Sequence, residues 1–449
     1  MVLRDFARWA TSQRDPFPPR EVTHAATRAV VDWFAATVPG SRMAPARILA
    51  DALVDGDAQG PARLVCGGGV PVRTAALING TASHTAELDD IYRDGIYHPG
   101  SPTIAAALAV AEHRGASGAE LLRAVAVGYE ISVRIAAAIQ PAHYRFWHTT
   151  GTVGTIGAAA ATAELLGLDA ERFTHALATS TTMAAGLQQA FRSDAMSKPL
   201  HAGHAAEAGV LAGLAAAKGY TGAADVLDGE AGFGAAMADS PDWTAALADL
   251  GSPWGITRAT VKNHSCCGHT FAAVDAVLAM RSRGLRPSQV AKITVGTYGT
   301  ACKVAGIDDP QSAFEAKFST AYCVAAALCL GTVRLRAFEP EQLADPGIRA
   351  LLRRVALTVD PEFDAAFPNQ RAARVTVVTN DGAEQIEVRT TRKGDPDDPL
   401  TDDELRGKFD DLVAPVVGES GGATLGAALW GLSELTDVRK LPLPAGERK

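Results

Sequence analysis

Residues 79–100 contain a dense group of ionisable side chains. His84, Glu87, Asp89, Asp90 and His98 fall within fifteen residues, immediately before an alanine-rich segment that is typical of a helix. Charged groups at the mouth of an apolar helix are costly unless they are paired or used in chemistry. Two kinds of site fit these residue types. One is a metal site built from His and Asp, and the other is an acid–base site that acts on an organic acid.

The elements that must position these residues are mostly helical. Apolar side chains recur at i, i+3 and i+4 spacing over residues 22–37, 103–113, 118–139, 152–166, 170–186 and 201–218. Ser117 and Glu120 have the spacing of a capping box, which predicts a helix start. The glycines at 151, 154 and 157 have no preceding strand, so we interpret them as helix-packing positions rather than a nucleotide loop.

The pattern changes after about residue 265. Alternating apolar residues predict strands at 291–298, 355–359, 374–379 and 385–390. Residues 380–382 (Asn-Asp-Gly) predict a hairpin turn, and residues 314–330 predict an apolar helix. We therefore expect a mainly α fold with an α+β second domain. The large all-helical domain would be residues 1–265, completed by 400–449, and the smaller antiparallel-sheet-and-helix domain would be residues 266–399.

Composition excludes several functions. The chain has 449 residues, 47% of them hydrophobic, and a formal net charge of −8. That charge argues against nucleic acid or an anionic membrane as partner, so an anionic substrate would need a local cluster of Lys, Arg and His. The uncharged apolar run at 321–333 is shorter than the ~18 residues needed to span a bilayer. Residues 1–15 lack the apolar core of a signal peptide, and we expect a cytoplasmic protein.

Five segments, taken together, resemble the MmgE/PrpD family, which includes 2-methylcitrate dehydratase, cis-aconitate decarboxylase and iminodisuccinate epimerase. These segments are residues 79–100, 146–154, 197–203, 266–275 and 392–395. They occur in order along most of the chain, so the sequence is identified as a member of the family. The resemblance implies a metal-independent enzyme without a cofactor, which acts on a small carboxylic acid.

Lys198 and His148 are candidate catalytic residues. A lysine at a helix N-terminus opposes the helix dipole, unless an anion lies between them or the amine acts as a base. A solvated surface lysine fits the same spacing. His148 follows two aromatic residues, which could hold it near neutral pKa in a dry pocket, although a core histidine is the commoner outcome. The resemblance implies that both residues belong to the active site.

His98, Asp89 and Asp90 form a third group, for which helix capping and loop structure are the alternative explanation. The family usually carries Asp at position 87 and often Thr at position 91. This chain has Glu87 and Ile91. We predict that Glu87, Asp89 and Asp90 take part in substrate binding.

The remaining candidates are weaker. The resemblance implies that Tyr322 contacts substrate, although an apolar helix more often buries a tyrosine in the core. His264, Cys266, Cys267 and His269 are too closely spaced to wrap one tetrahedral ion, so we interpret the loop as lending His269 to a pocket between the domains. Further positive or polar groups for substrate binding are predicted at three positions, Arg192, His201 and Lys317.

The chemistry that the resemblance implies starts with a proton alpha to a carboxylate. Fixed cations and hydrogen-bond donors would stabilise the enediolate-like charge that develops. We expect catalysis by Lys198, His98, His148 and Tyr322. A lyase of the 2-methylcitrate dehydratase type is the first expectation, with epimerisation of the iminodisuccinate type or decarboxylation of the cis-aconitate type as alternatives.

Two further functions stay open. One is a metallohydrolase that uses His84, Asp89, Asp90 and His98, and the other is a non-catalytic helical binding protein. Helices rich in small residues, together with the resemblance, predict a homodimer.

Overall fold

The computed structural model describes residues 1–15, 17–54, 59–191 and 195–444. They form two compact units, which we call the helical unit (Met1–Val261 and Thr401–Lys449) and the sheet unit (Lys262–Leu400). The predicted fold class, a large helical part with a smaller sheet-and-helix part, is confirmed. Among the described residues, no helix is both long and apolar enough to cross a membrane.

The first stretch of the helical unit contains eleven α-helices within the described residues. They are α1 Val2–Ser12, α2 Arg20–Gly40, α3 Ala44–Leu53, α4 Val72–Thr85, α5 Gly100–Arg114, α6 Gly118–Ala138, α7 Thr149–Leu165, α8 Ala170–Thr181, α9 Ser197–Ala217, α10 Phe233–Met237 and α11 Trp243–Leu247. A short antiparallel pair, β1 Ala62–Arg63 and β2 Gly69–Val70, precedes α4. The capping box predicted at Ser117 is confirmed, because its hydroxyl accepts from the Glu120 amide and the Glu120 carboxylate accepts from the Ser117 amide.

The sheet unit combines a four-stranded sheet with seven α-helices in the described chain. The strands are β3 Val290–Thr297, β4 Val355–Val359, β5 Ala373–Thr379 and β6 Glu384–Arg389, in the order β4-β3-β5-β6. The helices are α12 Phe271–Ser282, α13 Gly299–Val304, α14 Ala313–Lys317, α15 Thr320–Leu330, α16 Pro340–Leu343, α17 Pro346–Leu352 and α18 Pro361–Ala366. The chain then returns to the helical unit with α19 Asp402–Val417 and α20 Glu419–Trp430.

Strand pairing in the sheet follows from connection length. The tight turn at 380–382 joins β5 and β6 as an antiparallel hairpin, as predicted, with Gly382 at φ +84°. β3 and β5 are also antiparallel, whereas β4 runs parallel to β3. The long connection from β3 to β4 carries helices, which allows the parallel pairing. The sheet is therefore mixed and not wholly antiparallel as expected, because alternating apolar residues predict a strand but not the direction in which it pairs.

One predicted helix is interrupted. We expected a continuous helix over 314–330, whereas the structure has α14 and α15 separated at Phe318 and Ser319. The Ser319 hydroxyl accepts a hydrogen bond from the Tyr322 amide, 3.1 Å away. A serine side chain in this position caps a new helix start, because it replaces a backbone acceptor. The prediction missed the break because the apolar periodicity continues through it.

Close helix crossings form the core of the helical unit. A Cβ atom on Gly80 of α4 would lie only 3.0 Å from the Gly203 Cα atom of α9. On α7, a Cβ at Gly154 would lie 2.8 Å from Pro102 Cγ, and one at Gly157 would lie 2.9 Å from Ser132 Cβ. The interpretation of these glycines as packing positions is therefore confirmed. The crossing of α4 and α9 brings the end of α4 opposite the first turns of α9.

Candidate active site

The end of α4 and the loop that follows place a carboxylate between two imidazoles. His84 lies in the last turn of α4, and its Nδ1 donates to Asp89 Oδ2 at 2.6 Å. The same oxygen accepts from the Ser101 hydroxyl at 2.9 Å and lies 3.2 Å from His98 Nδ1. Both His84 and Asp89 are buried. The Asp89 carboxylate therefore joins the end of α4 to the far end of the loop.

The charge on Asp89 is stabilised by its neighbours. Burial by itself raises the pKa of Asp89, but the imidazoles of His84 and His98 outweigh this effect and hold the pKa well below its usual value. Asp89 is consequently an ionised acceptor at neutral pH. An ionised carboxylate favours the protonated form of a nearby imidazole.

Four imidazoles extend from this carboxylate across three elements. The His84 ring lies 4.9 Å from that of His98 and 5.4 Å from that of His148, which precedes the first turn of α7. His148 Nδ1 lies 3.1 Å from His201 Nδ1 on α9. The His98 amide donates to Thr150 Oγ1 at 3.3 Å, which ties the loop to α7. The structure thus brings together His98, His148 and His201, which the sequence analysis selected for catalysis or substrate binding. It places beside them His84, which the sequence analysis assigned only to the alternative metal site.

Burial and mutual repulsion lower the proton affinity of two of these rings. Burial, followed by the nearby His84 and Lys198, holds the pKa of His148 well below its usual value. Burial also lowers the pKa of His201 to about 4, with His84 as the next cause. Both rings are therefore neutral near pH 7. The expectation of a near-neutral pKa for His148 is therefore wrong, because burial and the neighbouring groups make the ring a weak base.

Lys198 forms an ion pair with Glu87 across the same cluster. Lys198 is the second residue of α9, and its ammonium hydrogen-bonds the Glu87 carboxylate. Burial lowers the pKa of Lys198, but Glu87 more than compensates, so the pKa is raised above its usual value. Of the two roles weighed for this lysine, a fixed cation fits this direction and a neutral base does not. The Lys198 side chain as a whole is 21% exposed.

The backbone at Glu87 is strained. Its φ angle is +59°, in the left-handed region that residues other than glycine seldom adopt. Such strain is commonly retained where a side chain must be held in a functional position. The conformation ends α4 abruptly and directs the chain into the loop that carries Asp89 and Asp90.

Both carboxylate oxygens of Asp90 accept hydrogen bonds from other residues of the protein. Its Oδ1 accepts from the Gly100 amide at 3.0 Å and its Oδ2 accepts from the Tyr129 hydroxyl at 2.8 Å. Burial raises the pKa of Asp90 to about 8, and the nearby Asp32 carboxylate adds to the rise. Gly100 begins α5, so Asp90 joins the loop to the start of that helix. Its predicted role in substrate binding stays a prediction.

Lys408, in the segment that returns to the helical unit, supports the loop that follows α4. Lys408 of α19 is completely buried and donates to Asp32 Oδ1 at 2.5 Å and to the Leu88 carbonyl at 3.0 Å. Leu88 lies between Glu87 and Asp89. Sequence reasoning missed this residue, because a lysine in the acidic, amphipathic segment after residue 400 is typical of a solvated face. Only the burial of the Lys408 side chain reveals its function.

Three predicted residues lie in the sheet unit. The Tyr322 hydroxyl donates to the Ala337 carbonyl at 2.6 Å, and burial raises the pKa of Tyr322. His269 Nδ1 lies 2.7 Å from the Tyr298 hydroxyl, and burial lowers the pKa of His269 to about 4. The Lys317 ammonium lies 5.7 Å from the centre of the Phe338 ring. Arg192, the remaining predicted residue, lies outside the described residues.

Among the described residues, one group of side chains has the spacing to hold a metal ion. Ligand atoms of His84, Asp89 and His98 all lie within 4.8 Å of one another. The set of two imidazoles and one carboxylate suits several divalent transition metals. The 2.6 Å contact between His84 and Asp89 is equally that of a charge-assisted hydrogen bond.

Known proteins match this chain over most of its length. The MmgE/PrpD N-terminal domain matches residues 4–246, and the MmgE/PrpD C-terminal domain matches residues 264–428. A cis-aconitate decarboxylase-like protein of Aspergillus oryzae is 28% identical, covering 98% of this chain and 96% of its own length. Cis-aconitate decarboxylase of Aspergillus terreus is 27% identical over 98% of this chain and 95% of its own. The Homo sapiens cis-aconitate decarboxylase is 31% identical over 76% of this chain and 72% of its own.

Proposed function

The chain belongs to the MmgE/PrpD family and is an enzyme of lyase type, and from that premise we propose that it decarboxylates a small unsaturated tricarboxylate of the cis-aconitate kind without a metal. The observation that carries the proposal is the cluster of Lys198 and four imidazoles around Asp89. Lys198 supplies positive charge and the imidazoles supply hydrogen-bond donors, on a chain whose net charge is −8.

Three members of the cluster have a defined part in the proposal. The Lys198 ammonium binds a substrate carboxylate, since Glu87 holds it charged. His98 is partly exposed, with 15% of its side chain accessible, so it can reach a bound molecule. His148 is neutral, so it can hydrogen-bond the substrate without adding charge. Fixed charges of this kind stabilise charge that develops in the transition state, and each donor is typically worth ~10²-fold or more in rate.

The proposed step balances without a co-reactant. The bond between a carboxylate carbon and its neighbour breaks, carbon dioxide leaves, and the electron pair moves into the carbon skeleton. A proton from His98 then adds to the skeleton carbon where that pair is localised. The imidazole regains its proton from solvent. Neither an oxidant nor a second substrate is consumed.

The family relatives favour decarboxylation over the dehydration that the sequence analysis placed first. The similar proteins named above are cis-aconitate decarboxylases or proteins described as like them. Loss of a hydroxyl group would need the same cations and a group that protonates the leaving oxygen. The experiment described next therefore distinguishes decarboxylation from dehydration and epimerisation.

Product analysis tests the proposal directly. Purified protein is incubated with cis-aconitate in deuterated water, while carbon dioxide release and the proton NMR spectrum are followed. We expect carbon dioxide and a product with deuterium at one carbon. If 2-methylcitrate instead gives a new conjugated double bond with ultraviolet absorbance, the enzyme is a dehydratase. Deuterium exchange at an alpha carbon without either change would indicate an epimerase.

Two controls separate the proposed roles from the alternatives. Lys198→Met should lower kcat by ~10²-fold or more, whereas Lys218→Met, on an exposed residue at the end of α9, should not. Activity lost to EDTA and restored by a divalent ion would refute metal independence and favour the metallohydrolase. Binding of cis-aconitate in calorimetry without turnover of any of these acids would indicate a binding protein.

The assembly state has its own test. We also propose a homodimer, as the family resemblance implies. Size-exclusion chromatography with light scattering should give twice the mass of one chain, and a particle with the mass of a single chain would contradict this.

A further inference from the structure

Asp89 and His84 are enclosed, while His98 is not. His84 is 0% exposed and the Asp89 side chain 1%, whereas 15% of the His98 side chain is accessible. A small molecule can therefore reach only His98 among these three. All three meet at one oxygen, Asp89 Oδ2, which also accepts from the Ser101 hydroxyl.

We propose that His84 and Asp89 form a positioning pair for His98, which holds its ring in place and stabilises the proton that it carries. The inference rests on the proposed function, because it assigns His98 as the proton donor. It gives Asp89 a structural and electrostatic part in catalysis instead of contact with substrate. It also gives a part to His84, which the sequence analysis considered only as a metal ligand.

The hydrogen-bond arrangement fixes the orientation of His84. Because Asp89 is an acceptor, His84 Nδ1 carries the hydrogen in the 2.6 Å contact. His84 Nε2 is then buried and has no hydrogen-bond partner among the described residues. A buried nitrogen without a partner is costly, so the local structure favours the Asp89 contact strongly enough to offset that cost. The edge of His84 against the His98 ring, at 4.9 Å and 64°, limits how that ring can turn.

The nearby cation Lys198 disfavours a proton on His98. The rings of His148 and His201, from α7 and α9, are neutral and add no opposing charge. Glu87 is paired with Lys198, and Asp90 is occupied by Gly100 and Tyr129. Asp89 Oδ2 lies 3.2 Å from His98 Nδ1, and its negative charge favours the protonated ring.

Substitutions at His84 separate the two nitrogens of its ring. The amide nitrogen of asparagine is attached to Cγ, as Nδ1 of histidine is, whereas that of glutamine lies one bond further, as Nε2 does. His84→Asn can therefore still donate to Asp89, and His84→Gln cannot from the same position. We expect kcat to fall by about 10²- to 10⁴-fold in His84→Gln and in Asp89→Asn, the range that a general acid contributes. His84→Asn should recover most of the wild-type kcat, and KM should change little in all three.

The protonation of His98 distinguishes the proposed role from a purely structural one, because a structural role would leave it unchanged. Histidine nitrogens labelled with ¹⁵N report the tautomer and the titration midpoint of each ring, and the His98 signals are assigned by their loss in His98→Gln. The midpoint should shift to lower pH in Asp89→Asn and His84→Gln and stay near wild type in His84→Asn. His175→Gln, on α8 with its Nδ1 near the Gly222 carbonyl, is the matched control and should change neither kcat nor the His98 midpoint.

Three results would overturn the inference. One is a wild-type spectrum in which His84 carries its hydrogen on Nε2. This measurement uses the wild-type protein, so it does not depend on the folding of a variant. Another is an unchanged His98 midpoint in Asp89→Asn that melts like wild type. The third is activity retained in His84→Gln and lost in His84→Asn, which would mean that His84 acts through Nε2. The NMR measurement needs no turnover, so a wild-type protein without decarboxylase activity but with the expected shifts would refute the proposed function alone.

Discussion

Replacing Lys408 with methionine should lower the free energy of unfolding of the helical unit by about 3–5 kcal/mol, the usual cost of removing one partner from a buried ion pair. Lys408 is 0% exposed and Asp32 1%, so neither charge has water as a substitute partner. The substitution also removes the donor to the Leu88 carbonyl. Chemical denaturation followed by circular dichroism measures the change.

The magnitude depends on the charge that is left behind. Asp32 is buried beside Asp89, and burial already raises the pKa of Asp32 even with Lys408 present. Without the ammonium, Asp32 would have to take up a proton or remain as an uncompensated charge. Replacing both partners with apolar groups should therefore restore much of the stability. We expect the double variant Asp32→Leu/Lys408→Met to be more stable than Lys408→Met.

Activity should not recover with stability. The double variant still lacks the hydrogen bond to Leu88, which lies between Glu87 and Asp89. We expect its kcat to stay below that of the wild type. Lys218→Met is the matched control, since substitution of an exposed lysine usually changes stability by less than ~0.5 kcal/mol. If Lys408→Met were no more destabilising than Lys218→Met, the assignment of a buried pair that supports the loop would be wrong.

Three further changes test the loop itself. In Glu87→Gln the pKa of Lys198 should fall, because the main group that raises it is lost while burial, which lowers it, remains. Faster acetylation of Lys198 at a fixed pH, measured by peptide mass spectrometry, would show this, and an unchanged rate would contradict it. Glu87→Gly should be more stable than Glu87→Ala by ~1–2 kcal/mol, because glycine adopts the positive φ without strain; equal stability in denaturation would mean that Glu87 is not strained. For Asp90 the folded-state pKa is raised from 3.8 to about 8, so its contribution to stability is complete below about pH 4 and is lost as the pH rises through about 8. Asp90→Asn should remove that part of the pH dependence, and identical slopes for the two proteins between pH 4 and 8 would refute it.

Much of the local structure is determined by the sequence. Helices α5, α6, α7 and α9 were predicted from their apolar periodicity, and the hairpin between β5 and β6 from the Asn-Asp-Gly turn. The family and the lyase class follow from short motifs. These features depend on neighbours within a few residues, where spacing determines which side chains share a face. Periodicity failed at Ser319, where a side-chain cap competes with the backbone.

The tertiary structure decided which of the candidate residues work together. Lys198 is 111 residues from Glu87 along the chain, and Lys408 is 320 residues from Leu88. Neither pairing has a local signature, because each depends on where two helices cross and on the direction in which the chain returns. The close approach of Gly80 and Gly203 sets the distance between α4 and α9, and with it the meeting of His84, His148 and His201. The protonation states of these histidines depend on this packing, because burial and neighbouring charges exist only once the helices have packed.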